Sequence, residues 1–145
     1  MKRLVSLVAA TTFALLALPA TASAAPTPDS PRATAAAYDA FVGTFSGHTR
    51  HLTVRDDHIA REVIYDGCCT HGITVRYRIT ASVGDKHDGY LRARVLRVRL
   101  GDWAGPRPHR GDVRRITVHH GVFVSHHTGT NYCTRRAGMT GACGA

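Results

Sequence analysis

The chain has 145 residues, 43% of them hydrophobic and 20% charged, a length that fits one domain with a modest core of its own. Its formal charge of +9 bears on solubility and on attraction to anionic surfaces, and by itself selects no fold and no mechanism. No stretch after the first eighteen residues is apolar enough to cross or anchor in a bilayer.

The amino terminus carries a basic head, Lys2 and Arg3, then an apolar run from Leu4 to Leu18. Pro19 follows, and then the small-residue pattern Ala22-Ser23-Ala24. This is the order of a secretory signal peptide, with cleavage expected after Ala24 and the mature protein secreted to the extracellular space. Removing residues 1–24 from the 145 leaves 121. Lys2 and Arg3 account for two of the 19 bases, so 17 remain against 10 acids, a formal charge of +7. Of those 17, Lys86 alone is lysine. Residues 25–38 open with three prolines and read as a flexible leader. The β domain is expected over 39–145.

From Asp39 the apolar period becomes two, the mark of half-buried strands. Phe41, Gly43 and Phe45 alternate with polar or outward residues, as do Leu52 and Val54. Residues 59–65 form a less regular strand. Ile73, Val75, Tyr77, Ile79 and Ala81 make the clearest one, with Thr74, Arg76, Arg78 and Thr80 between them. Leu91, Ala93 and Val95 begin another. The apolar phase then slips by one at Val95-Leu96 and continues as Leu96, Val98 and Leu100, which predicts a β-bulge there. Two last strands fall near 113–119 and 122–127. Turn signals at Gly47-His48, Asp56-Asp57, Asp66-Gly67, His71-Gly72 and between Gly84 and Gly89 separate these segments, and Gly101 to Gly111 is a longer loop holding Trp103. About seven short strands and no long helix give an all-β fold, a small antiparallel meander barrel, with a β-sandwich as the alternative.

All four cysteines, Cys68, Cys69, Cys133 and Cys143, lie in the exported part, and an even count in an oxidising compartment reads as two disulfides. Of three connectivities, the one joining the neighbours Cys68 and Cys69 is strained, because adjacent Cα atoms sit about 3.8 Å apart. The other two tie the Cys68-Cys69 pair to the carboxy-terminal tail, each closing a loop of roughly sixty residues worth about 4 kcal/mol in the chain-entropy model. Adjacent cysteines lack the paired spacing of a zinc site.

The ten histidines include the pairs His119-His120 and His126-His127. Neighbours on a strand point to opposite faces, so each pair offers one ligand per face. A tight hairpin at Gly121 would set Val122 opposite His119 and His126 opposite Arg115, too far apart for the two pairs to share a metal. His48, His51 and His58 sit loosely near turns. No metal and no cofactor is expected. Arg76, Arg78, Arg92, Arg94, Arg97 and Arg99 form a basic stripe on one outer face, suited to weak binding of anionic surfaces such as wall polymer or lipid headgroups. Alternation puts Tyr77 on the other face, so no aromatic platform makes this a specific nucleic-acid site. Glu62 is the only glutamate, and no G-x-S-x-G, H-E-x-x-H or P-loop motif occurs. No catalytic residue is assigned. The reading is a non-enzymatic module that binds a partner or ligand outside the cell. The alternative is a small basic nuclease-like hydrolase, which requires a His, Glu62 or an Asp, and an Arg to converge in one cleft.

The segment Phe41-x-Gly43-Thr44-Phe45-x-Gly47-His48-x-Arg50-x-Leu52, the turn Asp66-Gly67-Cys68-Cys69 and the ending Thr140-Gly141-Ala142-Cys143-Gly144-Ala145 together resemble a family of uncharacterised small secreted actinobacterial proteins. The likeness spans most of 40–145, by strand pattern alone over 84–112. Relatives in that family often carry Trp where Phe45 stands, which implies an aromatic core slot there. The resemblance implies export and a cysteine framework, and brings no activity, substrate or catalytic residue with it.

Overall fold

The computed structural model describes residues 38–67 and 69–143; the expected signal peptide and all of the expected leader but Tyr38 lie outside them. Eight strands form a closed antiparallel barrel in chain order: β1 (Gly43–Gly47), β2 (Arg50–Val54), β3 (Ile59–Asp66), β4 (Thr70–Gly84), β5 (Asp88–Leu100), β6 (Val113–His119), β7 (Val122–Ser125) and β8 (Thr130–Cys133). The meander barrel read from alternation is the fold observed. Two details differ. There is an eighth strand, β8, and β4 and β5 run 15 and 13 residues rather than being short. A helix of five residues, α1 (Arg135–Met139), follows β8.

An eight-stranded barrel has an interior that side chains can fill, and here they do. Leu52, Ile73, Val75, Tyr77, Leu91 and Ile116 are each fully buried. The Phe45 ring stacks on Phe123 at 3.9 Å and Phe41 meets Phe123 edge-on, which links β1 to β7 through the core. Tyr38, placed at the end of the leader by sequence, belongs to this core; its hydroxyl donates to the Arg55 carbonyl and its ring lies against His58.

The bulge expected at Val95-Leu96 is present: Arg76 pairs with Arg97 and Tyr77 with Val95, so Leu96 has no partner on β4. Further register shifts fall between Ile79 and Ala81 and between Ile64 and Tyr65. The His119-Val122 hairpin also has the expected register, with the His126 amide donating to the Arg115 carbonyl. Its two turn residues, His120 and Gly121, have φ of 50° and 79°. That is the left-handed pair a two-residue hairpin of this hand requires. A Cβ on Gly121 would lie 2.7 Å from Thr134 Oγ1, so glycine is needed there for space as well.

Closure is thin. β1 and β8 pair only at Ser46 and Cys133. Arg50 reinforces the seam from β2: its Nε donates to the Asn131 carbonyl at 2.8 Å and a terminal nitrogen donates to Asn131 Oδ1 at 2.5 Å. Gly47 leaves room for that side chain, since a Cβ there would stand 2.6 Å from Arg50 Nε.

A disulfide is present among the four cysteines as expected, and its pairing corrects the expected tie to the middle of the chain. Cys133 is bonded to Cys143, not to the Cys68-Cys69 turn. The chain after β8 turns through α1 and Gly141 (φ 77°), which returns Cys143 to 5.9 Å from Cys133 between Cα atoms. The loop closed is short, worth about 2–3 kcal/mol in the chain-entropy model. Cys69 is exposed in the β3–β4 turn, and Cys68 lies outside the described residues. Among the described residues no helix is long and apolar enough to cross a membrane.

Candidate functional site

Alternation along β3 turns Ala60, Glu62 and Ile64 inward, so the only glutamate of the chain is carried into the barrel, where it is fully buried. Five hydroxyl groups surround its carboxylate. Oε1 accepts from Thr128 (2.6 Å), Thr130 (2.9 Å) and Tyr132 (2.6 Å); Oε2 accepts from Tyr77 and, at 3.4 Å, from Ser125. A carboxylate offers about four lone-pair positions, so one hydroxyl has to serve another. The contacts Thr128–Thr130 at 2.7 Å and Thr130–Tyr132 at 2.9 Å supply that route. These donors come from β4, β7, β8 and the turn before β8. Glu62 therefore braces one wall of the barrel against the opposite one. Burial, and then the nearby carboxylate, pushes the Tyr77 and Tyr132 phenols well above their ordinary range.

His127 lies next to this cluster, its ring 4.9 Å from that of Tyr77. Nε2 faces the Ala93 carbonyl at 3.2 Å, so the proton resides on Nε2, while Nδ1 is buried with no hydrogen-bond partner among the described residues. Burial lowers its pKa; the Ala93 carbonyl and the Glu62 charge act the other way. The convergence required of a hydrolase is thus half met. Glu62 and His127 approach one another through Tyr77, and the Arg114 charge acts on His127, yet both Glu62 and His127 are sealed from solvent.

The other histidines separate as the register requires. His126 faces outward to Thr117 Oγ1 at 3.1 Å. His48 and His51 are at one end of β2 and His58 is past the other. His119 and His120 depart from the sequence expectation. Neighbours in a strand diverge, but His120 has left the strand for the turn, and its ring stands 3.9 Å from that of His119. Asp88, paired with His119 across β5 and β6, places Oδ1 2.9 Å from His119 Nδ1 and accepts the His120 amide at 3.2 Å. That amide is the main reason the Asp88 carboxyl sits below the usual carboxylate range.

The outer surface of β3 to β6 carries the arginines. Cross-strand neighbours share a face, and the register sets Arg61, Arg76 and Arg97 in one row, Arg78 and Arg94 in the next, and Arg92 and Arg115 in a third; Arg99 stands opposite Thr74. All eight are exposed. The bulge makes this possible. Arg94 and Arg97 are three apart and would point to opposite sides of a regular strand, but the unpaired Leu96 resets the phase, so Arg92, Arg94, Arg97 and Arg99 all face outward. The ion pairs among the described residues join Arg55 to Asp57, His109 to Asp112 and His119 to Asp88, and none reaches these eight. Arg97 also lines a shallow cleft with Arg107, His109 and Arg110 from the β5–β6 loop. Tyr77 is on the inner face as expected; Tyr90 shares the outer one, its ring covered by the Arg115 guanidinium at 4.4 Å.

Sequence reading found six of the eight arginines and missed Arg61 and Arg115, which only cross-strand register adds to the face. It also missed the hydroxyl cage, whose signal was the inward parity of Glu62 between Ala60 and Ile64. Comparison of the chain with protein-family models, with curated proteins and with solved structures finds no match.

Proposed function

We propose that this protein is a secreted, non-enzymatic β-barrel module that binds an anionic polymer or surface outside the cell through the outer arginine face of β3 to β6. The observation that carries the reading is eight exposed guanidinium groups on one face, seven of them in directly opposed rows, that no ion pair among the described residues reaches. Like charges set opposite one another across strands destabilise a sheet, by up to about 1 kcal/mol per pair, and a polyanion would reverse that term. Support for export comes from the basic head, the apolar run and the Ala22-Ser23-Ala24 pattern, together with a disulfide at Cys133–Cys143, a bond that persists in oxidising compartments.

Retention on an immobilised polyphosphate column tests the reading. The protein should elute at a salt concentration well above that for a neutral control, because exposed charges are screened as salt rises. Replacing Arg76, Arg78, Arg94 and Arg97 together by Gln should abolish most of that retention. Passage of the native protein without retention, or unchanged retention of the variant, would overturn it. A second reading, a small basic hydrolase, draws on Glu62 and His127 meeting through Tyr77. Turnover of RNA or of a wall polymer that disappears in Glu62→Gln would favour it; binding without turnover favours the module.

A further inference from the structure

Asp88, His119 and His120 form a compact set of donors that neither the barrel core nor the arginine face uses. One ligand atom from each lies within 4.8 Å of the other two, and all three residues are exposed. They are positioned by the backbone: Asp88 begins β5, His119 ends β6 directly opposite it, and His120 opens the following turn. A lone Asp–His pair would explain Asp88 and His119 as a surface ion pair of small worth. It does not explain His120. That residue holds a φ of 50° at a turn position that asparagine, aspartate or glycine usually fills, and its ring lies against His119 rather than in open solvent. Two imidazoles side by side, both next to one carboxylate, are arranged as ligands of a common cation.

We propose that Asp88, His119 and His120 bind a divalent transition ion of borderline softness, with zinc and copper as the chemical class. Imidazole nitrogen and carboxylate oxygen bind such ions at about 2.0–2.2 Å, which sets ligand atoms about 3.3 Å apart in a tetrahedral arrangement. Asp88 and His119 are already closer than that, at 2.9 Å, and rotation of exposed side chains closes the remainder. Three protein ligands leave one position open to solvent. His87 and Arg136 line the cleft beside Asp88 and His120. A bound ion would join the end of the β4–β5 hairpin to that of the β6–β7 hairpin.

Calorimetric titration of the full, tag-free protein with Zn²⁺ and with Cu²⁺ in a non-chelating buffer tests this. One equivalent per chain is expected, with Cu²⁺ tighter than Zn²⁺. Asp88→Asn and His119→Gln should each weaken binding about tenfold or more, while His109→Gln, in the β5–β6 loop, should leave it unchanged. The substituted side chains are exposed, and an unaltered far-ultraviolet spectrum would confirm that the barrel persists. The electron paramagnetic resonance of the copper form should show two nitrogen ligands. Absence of a one-equivalent site, or a site that survives Asp88→Asn and His119→Gln undiminished, would overturn the assignment.

Discussion

The inside and the outside of this barrel handle charge in opposite ways. Inside, one carboxylate is met by five hydroxyl donors. Outside, eight guanidinium groups share one face, and no ion pair among the described residues reaches them. A buried charge is tolerated only where the protein replaces its lost hydration, so Glu62 sits in a cage that completes itself. Exposed charges keep their water and can remain uncompensated. The cage therefore serves the barrel, and the open field is what remains available to a partner.

The largest effect should come from breaking the cage. Glu62→Ala removes the acceptor from five hydroxyls and leaves a void, a loss of about 3–5 kcal/mol. Urea unfolding would measure it, and a cost under 1 kcal/mol would mean that the cage braces nothing. Next in size is the pH dependence of stability. The Tyr77 and Tyr132 phenols ionise less readily in the folded state, so the folded state holds their protons where the unfolded chain has begun to lose them. Their contribution is complete below pH 10, the ordinary phenol value, and is lost as pH climbs from there through the raised folded values. His127 has the opposite sense. Its folded pKa lies below the ordinary 6.5, so the unfolded chain takes up the proton first and stability falls as pH drops below 6.5. Thermal melts from pH 4 to 11 should show both flanks, and the acid flank should shrink in His127→Phe. The smallest effect is on the outside. Arg76→Gln with Arg97→Gln should raise stability by about 0.2–1 kcal/mol while weakening retention on polyphosphate, since the pair stand directly opposed. A loss of stability would mean that the arginine rows support the sheet.

Much of this architecture was legible before any coordinates. The phase slip at Val95-Leu96 predicted the bulge, and Gly121 predicted the hairpin register, because both follow from a period of two counted along one strand. β8 was missed for a related reason. Its inward residues, Thr130 and Tyr132, are polar partners of Glu62, so hydrophobic alternation is silent there. The same cage hid Glu62, which read as a candidate base rather than a brace. The Cys133–Cys143 pairing was disfavoured, since the connectivity that contains it also joins the neighbours Cys68 and Cys69, and only the turn made by α1 and Gly141 shows how the two tail cysteines meet. The contact between His119 and His120 depends on the left-handed turn residue His120, whereas the opposite-face argument holds only for neighbours within a strand.

The unpaired Leu96 also bears on how this chain can change over evolutionary time. Loss of that one codon would place Arg97 directly after Val95, and plain alternation would then still keep Arg97 and Arg99 outward and Val98 inward. Loss of a further codon from the same stretch would find no spare residue to absorb it and would turn the residues beyond it to the other side. The bulge thus holds one residue in reserve, and β5 can shorten by that single step with its arginine face intact.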